Sequence, residues 1–309
     1  MRVAQVENLG SMSIERVVVA CRGGIGNRLF QYAAALAIAK ETGAEVFVHE
    51  NSDVGFSEFL DGGIPTAGRR DLRCLAVDAP DQSSFWQGVD WRVRSELLRL
   101  RRNSAKFRQV APHDSRAISS PLRTSKLLGL EGFFQHPSWY EPALGEVIQS
   151  LGAAVDRMMR PILHDQFERL GAYTVVSFRR GDYLRLGWEL SLDYYQRALE
   201  KLPQSDGPLV IVSDDKLVSK FSESWFTDRG FDVVPHIQFG ERGRLRDLAL
   251  LSRATQVVMA NSTFCWWGTV LGDTHALKTG TNRYVVAPRD WLIVHADSAR
   301  LVRPAWIAI

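Results

Sequence analysis

Apolar and polar residues near the N-terminus follow first a strand period and then a helix period. "ERVVVAC" (15–21) is rich in β-branched residues and is followed by glycines, and "NRLFQYAAALAIAKETG" (27–43) contains helix formers and ends at Gly43. "AEVFVHE" (44–50) is a second β-type run. Glycine commonly ends a helix, and β-branched runs favour strands. The order predicts a βαβ unit with parallel strands and a helix packed on the sheet.

The second half of the chain alternates between β-type and helical runs. The β-type runs are "YTVVSF", "PLVIVS", "FDVVPHI", "QVVMAN" and "RYVVAP". The helical runs are "SLDYYQRALEKL", "KLVSKFSESWF", "LRDLALLSRA" and "TFCWWGTVLGD". Strands that alternate with helices predict a parallel sheet covered by helices. No fixed repeat of about 20 to 50 residues is visible, which argues against a solenoid.

This pattern predicts two α/β domains in tandem, residues 1–155 and 156–309. The length of 309 residues suits two domains of about 150 residues each. We expect Rossmann-like domains that face each other across a cleft, since ligands bind at the carboxyl ends of such sheets.

Composition narrows the class of protein. A hydrophobic fraction of 45% and a charged fraction of 24% are those of a globular protein, and the net charge of +3 is too small to argue for nucleic acid. The 3 cysteines form no CxxC pair, which argues against a disulfide framework or a zinc site and fits a reducing cytoplasm. No signal peptide or long apolar span is visible. We expect a soluble, cytoplasmic protein that does not bind nucleic acid.

One segment is strongly basic. "WRVRSELLRLRRNSAKFR" (91–108) carries several Arg and Lys residues against the single acid Glu96. Such runs are typical of a solvated helix face. The alternative is contact with an anionic membrane surface or with phosphates.

The first of three segments suited to an anion is "RGGIGN" (22–27). Its glycines let backbone amides approach a phosphate, and a helix N-terminus follows. Leu29 occupies the place of the third glycine of the dinucleotide fingerprint, and no GK[ST] follows, so a P-loop is excluded. Glu50 could still contact a ribose, which leaves an NAD(P)-dependent oxidoreductase open. A tight turn without a ligand is the other alternative.

The second segment is "VVSFRRGDYL" (175–184), in which Arg179 and Arg180 follow an apolar run. The planar guanidinium matches phosphate or carboxylate oxygens with two hydrogen bonds. Buried arginines need counter-ions, which Asp182 and a diphosphate could supply together. A simple turn with a solvated ion pair is the alternative.

The third segment is "MANSTFCWWG" (259–268). Asn261, Ser262 and Thr263 are typical N-cap residues after an apolar strand, and their hydroxyls and the amides behind them also suit phosphate. The alternative is that they only cap the helix; Trp266 and Trp267 are expected to be core residues.

Adjacent acids end another predicted strand, in "VSDD". Asp214 and Asp215 could hold a metal ion, a ribose or only a helix N-terminus.

Five motifs, in chain order, closely resemble the bacterial α-1,2-fucosyltransferases of glycosyltransferase family 11. They are "GGIGNRLFQYAAALAIA", "GFFQHPSWYEP", "SFRRGDY" with "SLDYY", "VSDD" and "ANSTFCWWG", within residues 16–272. Two positions depart from the family: Ser177 replaces the usual histidine, and Arg28 replaces a frequent glutamine. The resemblance implies a GT-B architecture, GDP-fucose as donor, no cofactor and no metal ion, and inversion at the sugar carbon. It also implies a role in polysaccharide biosynthesis.

The resemblance also implies roles for the candidate residues. Arg179 is expected to clamp the diphosphate, and Arg180 either assists it or pairs with Asp182. The general base is expected to be Asp182 or Glu189. The remaining donor-binding residues are expected to be Gly24, Gly26 and Asn27 of the N-terminal, acceptor-side domain, and Asp214, Asn261, Ser262 and Thr263 of the nucleotide-sugar-binding domain.

The expected acceptor is a hydroxyl, O2 of a terminal galactose, on an oligosaccharide or lipid-linked glycan. Residues 91–108 would then make a peripheral contact with the inner face of the cell membrane. A non-catalytic nucleotide-sugar or glycan-binding module remains a further alternative.

Overall fold

The structure is a computed structural model of the chain. It describes the following residues: 14–50, 59–60, 65–67, 109–110, 127–130, 132–162, 167, 170–215, 224–234, 243–291 and 301–309. The chain divides into two compact units, one of residues 1–57 and 62–145 and the other of residues 58–61 and 146–309. The predicted boundary at residues 155/156 and this division both fall within one long helix, Pro137–Ile162.

In the described part of the first unit, four parallel strands lie in the order β2-β1-β4-β3. The elements are β1 (Arg16–Cys21), α1 (Ile25–Thr42), β2 (Glu45–Glu50), β3 (Gln109–Val110), β4 (Leu127–Leu130) and α2 (Pro137–Ile162), whose last part belongs to the second unit.

Helix α1 is largely buried because its sequence is apolar on nearly every side. Leu29, Phe30 and Ala33 to Ala35 have no exposed surface. The helix ends at Gly43, whose φ of 72° is left-handed and whose N–H bonds the carbonyl of Ala39. Glycine adopts this conformation without strain, which explains the stop. The βαβ prediction is confirmed.

In the described part of the second unit, six parallel strands lie in the order β10-β9-β8-β5-β6-β7. The strands are β5 (Thr174–Phe178), β6 (Leu209–Ser213), β7 (Val233–Val234), β8 (Gln256–Val258), β9 (Tyr284–Ala287) and β10 (Ile307–Ala308). The helices are α3 (Gly181–Leu186), α4 (Leu192–Glu200), α5 (Gly243–Arg253) and α6 (Thr263–Thr279). The five predicted strands are confirmed; β10 was not predicted.

The core of the second unit lies on its central strands. Val176, Phe178 and Ile211 of β5 and β6 pack with Tyr195 of α4 and with Phe226. Helices α5 and α6 approach each other closely, since a Cβ atom on Gly268 would lie 2.7 Å from the Cβ atom of Leu251. The carboxyl ends of β5, β6 and β8 are therefore supported by a closely packed core.

Candidate functional site

The candidate site lies at the carboxyl end of β5. Strand β6 pairs Ser213 with Phe178 on one side, and β8 pairs Val258 with Val176 on the other. The chain passes from β5 to β6 and β7 and then returns to β8 on the opposite side, so the strand order reverses there. Ligands of open α/β sheets bind at such switch points, outside the carboxyl ends of the strands. The polar residues that follow these three strands form the candidate site.

Arg179, the first residue after β5, makes two ion pairs. Its Nη2 atom lies 2.7 Å from Oδ1 of Asp182, and its Nη1 atom lies 2.6 Å from Oδ2 of Asp214. Its guanidinium carbon is 5.2 Å from the centroid of the Tyr183 ring, within cation–π distance. The Arg179 side chain is still 31% exposed. Two carboxylates and a ring hold the guanidinium while part of it remains accessible.

Asp214, the first residue after β6, organises the turn into α3. Its Oδ1 atom accepts hydrogen bonds from the backbone N–H groups of Arg180 and Gly181, at 2.9 and 3.4 Å. A carboxylate at a helix N-terminus is favourable. A Cβ atom at residue 181 would lie 2.6 Å from Oδ2 of Asp214, so any larger residue there would require the carboxylate to move. Of the three roles open for Asp214, the structure shows a helix N-terminus contact, with α3.

Arg180 differs from its neighbour. Its Nε atom is buried and has no hydrogen-bond partner among the described residues. Its charge reaches the interior, where it partly offsets the large rise in the pKa of Tyr195 that burial causes. Of the two predicted roles for Arg180, pairing with Asp182 is not seen in this part of the chain. The i,i+3 spacing instead gives Asp182 to Arg179.

Tyr183 and Trp188 connect α3 to Asn261, which follows β8. The Tyr183 hydroxyl donates to the backbone carbonyl of Asn261 at 3.1 Å, and Nδ2 of Asn261 donates to the carbonyl of Trp188 at 2.8 Å. The two rings meet edge to face, with centroids 5.6 Å apart. Burial raises the pKa of Tyr183 to about 12, so its hydroxyl stays protonated at neutral pH. The Asn261 amide group, predicted to contact the donor, thus holds the protein's own backbone.

The same asparagine has one unused group. Its Oδ1 atom is buried and has no hydrogen-bond partner within the described chain. The contacts that Asn261 makes with α3 and with Trp188 run instead through its backbone carbonyl and its Nδ2 atom.

Helix α6 begins immediately after Asn261. Ser262 is its N-cap residue, is buried, and makes no side-chain cap hydrogen bond within the described structure. The first N–H groups of a helix lack acceptors within the helix and carry partial positive charge. Thr263 is the first helical residue. Trp266 and Trp267 are fully buried, which confirms their prediction as core residues.

Ser177, at the position where the resemblance leads us to expect histidine, is buried on β5. Its hydroxyl acts on the thiol of Cys265, in the first turn of α6, by lowering the pKa of that thiol. Burial raises the pKa of the Cys265 thiol, so the thiol stays neutral. This contact joins β5 to α6 inside the unit.

The predicted glycine segment lies at the carboxyl end of β1 in the first unit. Gly23 has a left-handed φ of 78°, and Gly24 is the N-cap of α1, with Gly26 in its first turn. Arg28 is only 4% exposed, and its Nε atom donates to the carbonyl of Gly23 at 2.9 Å. The buried Arg28 side chain therefore stabilises the turn between β1 and α1.

Neutral side chains connect this turn to a second motif of the same unit. Gln31 accepts from the N–H of Arg22 at 2.9 Å and donates to the carbonyl of Gly132 at 2.8 Å. Gln135 donates to Oδ1 of Asn27 at 3.1 Å. The motifs "GGIGNRLFQ" and "GFFQHP" thus come together, although Asn27 already bonds within the unit.

Glu189, the second candidate base, is exposed in the segment after α3. It makes no hydrogen bond or ion pair with the residues that the structure describes. The basic segment 91–108 lies outside the described residues, as does the side chain of Glu50.

A cavity of about 270 Å³ in the second unit, between α2, α5 and α6, had no sequence signal. Arg253 lies in its wall and pairs with Asp156 at 2.7 Å and with Nε2 of His275 at 2.7 Å. Burial and the charge of Arg253 lower the pKa of His275. Arg253 and Lys278 occupy the last turns of α5 and α6. Cations there complement the helix dipoles, which gives the cluster a structural explanation.

Two general expectations concern metals and membranes. Among the described residues, no three His, Cys, Asp or Glu side chains are grouped to hold a metal ion. No helix in the described part of the chain combines the length and apolar character needed to cross a bilayer. Metal independence and the peripheral membrane contact stay predictions.

Solved structures establish the fold class. Fucosyltransferase NodZ from Bradyrhizobium superposes with a TM-score of 0.51 at 16% identity, covering 84% of this chain and 93% of NodZ. NodZ α-1,6-fucosyltransferase co-crystallized with GDP gives a TM-score of 0.50 at 16% identity, covering 84% and 92%. Likeness at this identity concerns the fold alone. The predicted α/β, GT-B-like class of glycosyltransferase, with two parallel-sheet units, is confirmed.

The family follows from the sequence match. Glycosyl transferase family 11 matches residues 113–306, which include the arginine pair and the Asn-Ser-Thr segment, and the chain belongs to this family. The O-antigen biosynthesis glycosyltransferase WbnK of Escherichia coli is 30% identical over 142 residues, which is 43% of each chain. The match thus spans less than half the length of this curated relative. The predicted family is confirmed.

Proposed function

We propose that this protein transfers L-fucose from GDP-fucose to a glycan hydroxyl, with inversion at the sugar carbon and without a metal ion. Membership of family 11 supports glycosyl transfer. A NodZ fucosyltransferase of the same fold has been co-crystallized with GDP, which supports a GDP-sugar as donor. The observation that carries the proposal is the cluster of Arg179, Asp182 and Asp214 at the switch point of the second sheet.

Arg179 is proposed to receive the diphosphate. When the bond from the sugar carbon to the diphosphate breaks, negative charge grows on GDP, and a guanidinium can stabilise it in place of a metal ion. Asp182 is 46% exposed and Asp214 is 27% exposed, so a phosphate replaces Asp182 more easily. Asp214 would then keep the guanidinium in place while Nη2 turns to the ligand.

The start of α6 is proposed to bind the other side of the diphosphate. The Ser262 and Thr263 hydroxyls and the first N–H groups of a 17-residue helix suit an anion. Asn261 and Asp214 are assigned an indirect role, since their contacts hold α3. Arg180 adds positive charge, and Gly24, Gly26 and Asn27 stay predicted donor contacts.

Glu189 is proposed as the general base. A base must be free to take a proton from the acceptor hydroxyl. Asp182 is engaged with Arg179 at 2.7 Å, whereas Glu189 is exposed and has no partner among the described residues. Asp182 is therefore better suited to orienting Arg179.

The proposed acceptor is O2 of a terminal galactose on an oligosaccharide or lipid-linked glycan. The resemblance to α-1,2-fucosyltransferases supports the linkage, and the name of the O-antigen biosynthesis relative supports a polysaccharide product.

Residues 91–108 are proposed to contact anionic membrane from the cytoplasmic side. Reversing their charges should abolish cosedimentation with anionic vesicles; unchanged cosedimentation would refute that contact.

Ligand binding and turnover test the donor. We expect GDP and GDP-fucose to raise the melting temperature, because each binds only the folded state. UDP and NAD should have little effect. Transfer from GDP-fucose to galactose-ended oligosaccharides, followed by mass spectrometry, should then give a fucosylated product. A response to NAD alone would favour an oxidoreductase, and GDP-fucose binding without turnover would favour a binding module.

Two amide substitutions test the base. Glu189→Gln should reduce the transfer rate by roughly 100- to 10,000-fold while GDP still binds. Asp182→Asn should reduce it less. Glu200→Gln, at an exposed residue of α4, is the matched control and should behave like wild type. The reverse ranking of Glu189 and Asp182 would assign the base to Asp182.

A further inference from the structure

Helix α3 follows the arginine pair directly, yet it contributes no fully buried residue to the core. Tyr183 is half-buried, and Leu184 and Leu186 are exposed. So short a helix is not stable through its own backbone hydrogen bonds. Its position must come from contacts at its N-terminal end, from Tyr183 and from the segment that follows it.

The N-terminal end of α3 is held by Asp214, as described above. At the other end, Gly187 ends the helix with a φ of 66°, and the N–H of Trp188 donates to the carbonyl of Tyr183 at 3.0 Å. The remaining contacts run from Tyr183 and Trp188 to Asn261. We call Tyr183, Trp188 and Asn261 the tyrosine latch.

We propose that Tyr183 is a positioning residue. The hydrogen bond from its hydroxyl to the backbone carbonyl of Asn261 keeps the Arg179 guanidinium at the position where it binds the diphosphate. The inference rests on the proposed function. The Tyr183 ring lies 5.2 Å from the Arg179 guanidinium carbon, and its hydroxyl reaches the residue just before Ser262. One side chain therefore spans the two segments proposed to bind the diphosphate.

The hydrogen bonds of the tyrosine latch suit a fixed connection between α3 and the segment that follows β8. The acceptor of the Tyr183 hydroxyl is a backbone carbonyl, which cannot turn away as a side chain can. Asn261 donates through Nδ2 to the carbonyl of Trp188, so Asn261 restrains both Tyr183 within α3 and the segment that follows the helix. Without the hydroxyl, the ring would keep its contact with Trp188 but lose its attachment to β8.

The first test is Tyr183→Phe, which removes only the hydroxyl. We expect kcat for transfer from GDP-fucose to fall about 10- to 100-fold, because small displacements of a catalytic group have effects of this size. The KM for the acceptor should change little. Tyr194→Phe is the matched control, since the Tyr194 hydroxyl also donates to a backbone carbonyl near the end of β8, that of Met259, at 2.7 Å. It should lower the melting temperature but leave kcat unchanged.

A double-mutant cycle with Arg179→Lys tests whether Tyr183 acts through Arg179. If it does, Tyr183→Phe should have little further effect in the Arg179→Lys background, since coupled residues are not additive. Effects that multiply fully would overturn the proposal, as would wild-type kcat in Tyr183→Phe.

Hydrogen exchange separates failure of the latch from failure of the proposed function. Amides of residues 181–188 should exchange faster in Tyr183→Phe than in wild type or Tyr194→Phe, whatever the reaction. Unchanged exchange there would overturn the latch even if GDP-fucose is the donor. Faster exchange in a protein that neither binds GDP nor uses GDP-fucose would support the hold on α3 but refute the proposed function and the positioning role with it.

Discussion

The segments that follow β1 and β5 have similar local structure, but their arginines have different partners. In both, a buried strand leads through a short turn into a helix, with glycine and arginine in the connecting turn or in the first turn of that helix. After β1 the helix has 18 residues and is largely buried, and Arg28 is bound to a neutral carbonyl. After β5 the helix has 6 residues, none of them buried, and Arg179 is bound to two carboxylates.

The difference teaches that burial and partner decide what an arginine in such a motif does. Arg28 is enclosed and its Nε atom serves the backbone of its own turn, so its contribution is to the fold. Arg179 is partly exposed, and its partners are two carboxylates. We therefore expect substitution of Arg28 or Gln31 after β1 to reduce stability, and substitution of Arg179 after β5 to reduce activity.

Arg179→Ala should give the largest effect. Loss of one preorganised donor to a developing charge costs about 100- to 1000-fold in kcat. Because the Asp182 and Asp214 side chains are partly exposed, water can solvate them and the melting temperature should change little. Arg197→Ala, which breaks the exposed ion pair with Asp193, is the control and should leave both quantities unchanged. Near-normal turnover in Arg179→Ala would contradict the diphosphate role.

Gln31→Ala should have the largest effect at β1. It removes two hydrogen bonds from a buried side chain and leaves the N–H of Arg22 and the carbonyl of Gly132 without this partner. We expect the free energy of unfolding, measured by urea denaturation, to fall by about 2 to 3 kcal/mol. Gln196→Ala, at an exposed residue of α4, should change it by less than about 0.5 kcal/mol. Equal values for the two variants would contradict the fold role of the β1 turn.

Gly181→Ala should have an intermediate effect on activity. The added Cβ atom would lie 2.6 Å from Oδ2 of Asp214, so the carboxylate and the Arg179 guanidinium must move. A displacement of this kind should lower kcat/KM for GDP-fucose about 10-fold. Unaltered kinetics would show that Asp214 does not set the position of Arg179.

Gly145→Ala should give the smallest effect, in the opposite direction. Gly145 lies within α2, and a Cβ atom there would meet nothing within 4 Å. Alanine should raise the free energy of unfolding by about 0.5 to 1 kcal/mol, because glycine loses more freedom on helix formation. Denaturation curves measure this directly. A loss of stability would show that the added side chain is not accommodated.

Local patterns predicted the parts of the fold whose residues are neighbours in sequence. The β1-α1-β2 unit follows from an apolar strand, a helix-forming run and Gly43. The arginine pair was placed at the end of an apolar strand, where the structure has it. Helix α2 was not predicted, since Pro142, Gly145 and Gly152 resemble helix breakers. Helix α3 was missed because its leucines are exposed and form no amphipathic pattern.

Long-range contacts of the candidate site could not be read from the sequence. Asp214 belongs to the end of β6, and its pairing with Arg179 depends on β5 and β6 being neighbours in register. The hydroxyl contact of Tyr183 likewise depends on β8 lying on the other side of β5. The residue types indicated an anion-binding site. The separate contacts of Asp182, Asp214 and Asn261 could be assigned only once the order of the strands in the sheet was known.

The absence of buried side chains from α3 has a practical consequence for engineering. Residues 184–186 can be exchanged for sequences from other enzymes, or randomised in a library, without repacking the hydrophobic core. Such transplants would keep the tyrosine and both carboxylates and vary only the solvent-facing leucines and arginine. This exposed helix segment therefore tolerates changes of sequence that a buried helix would not.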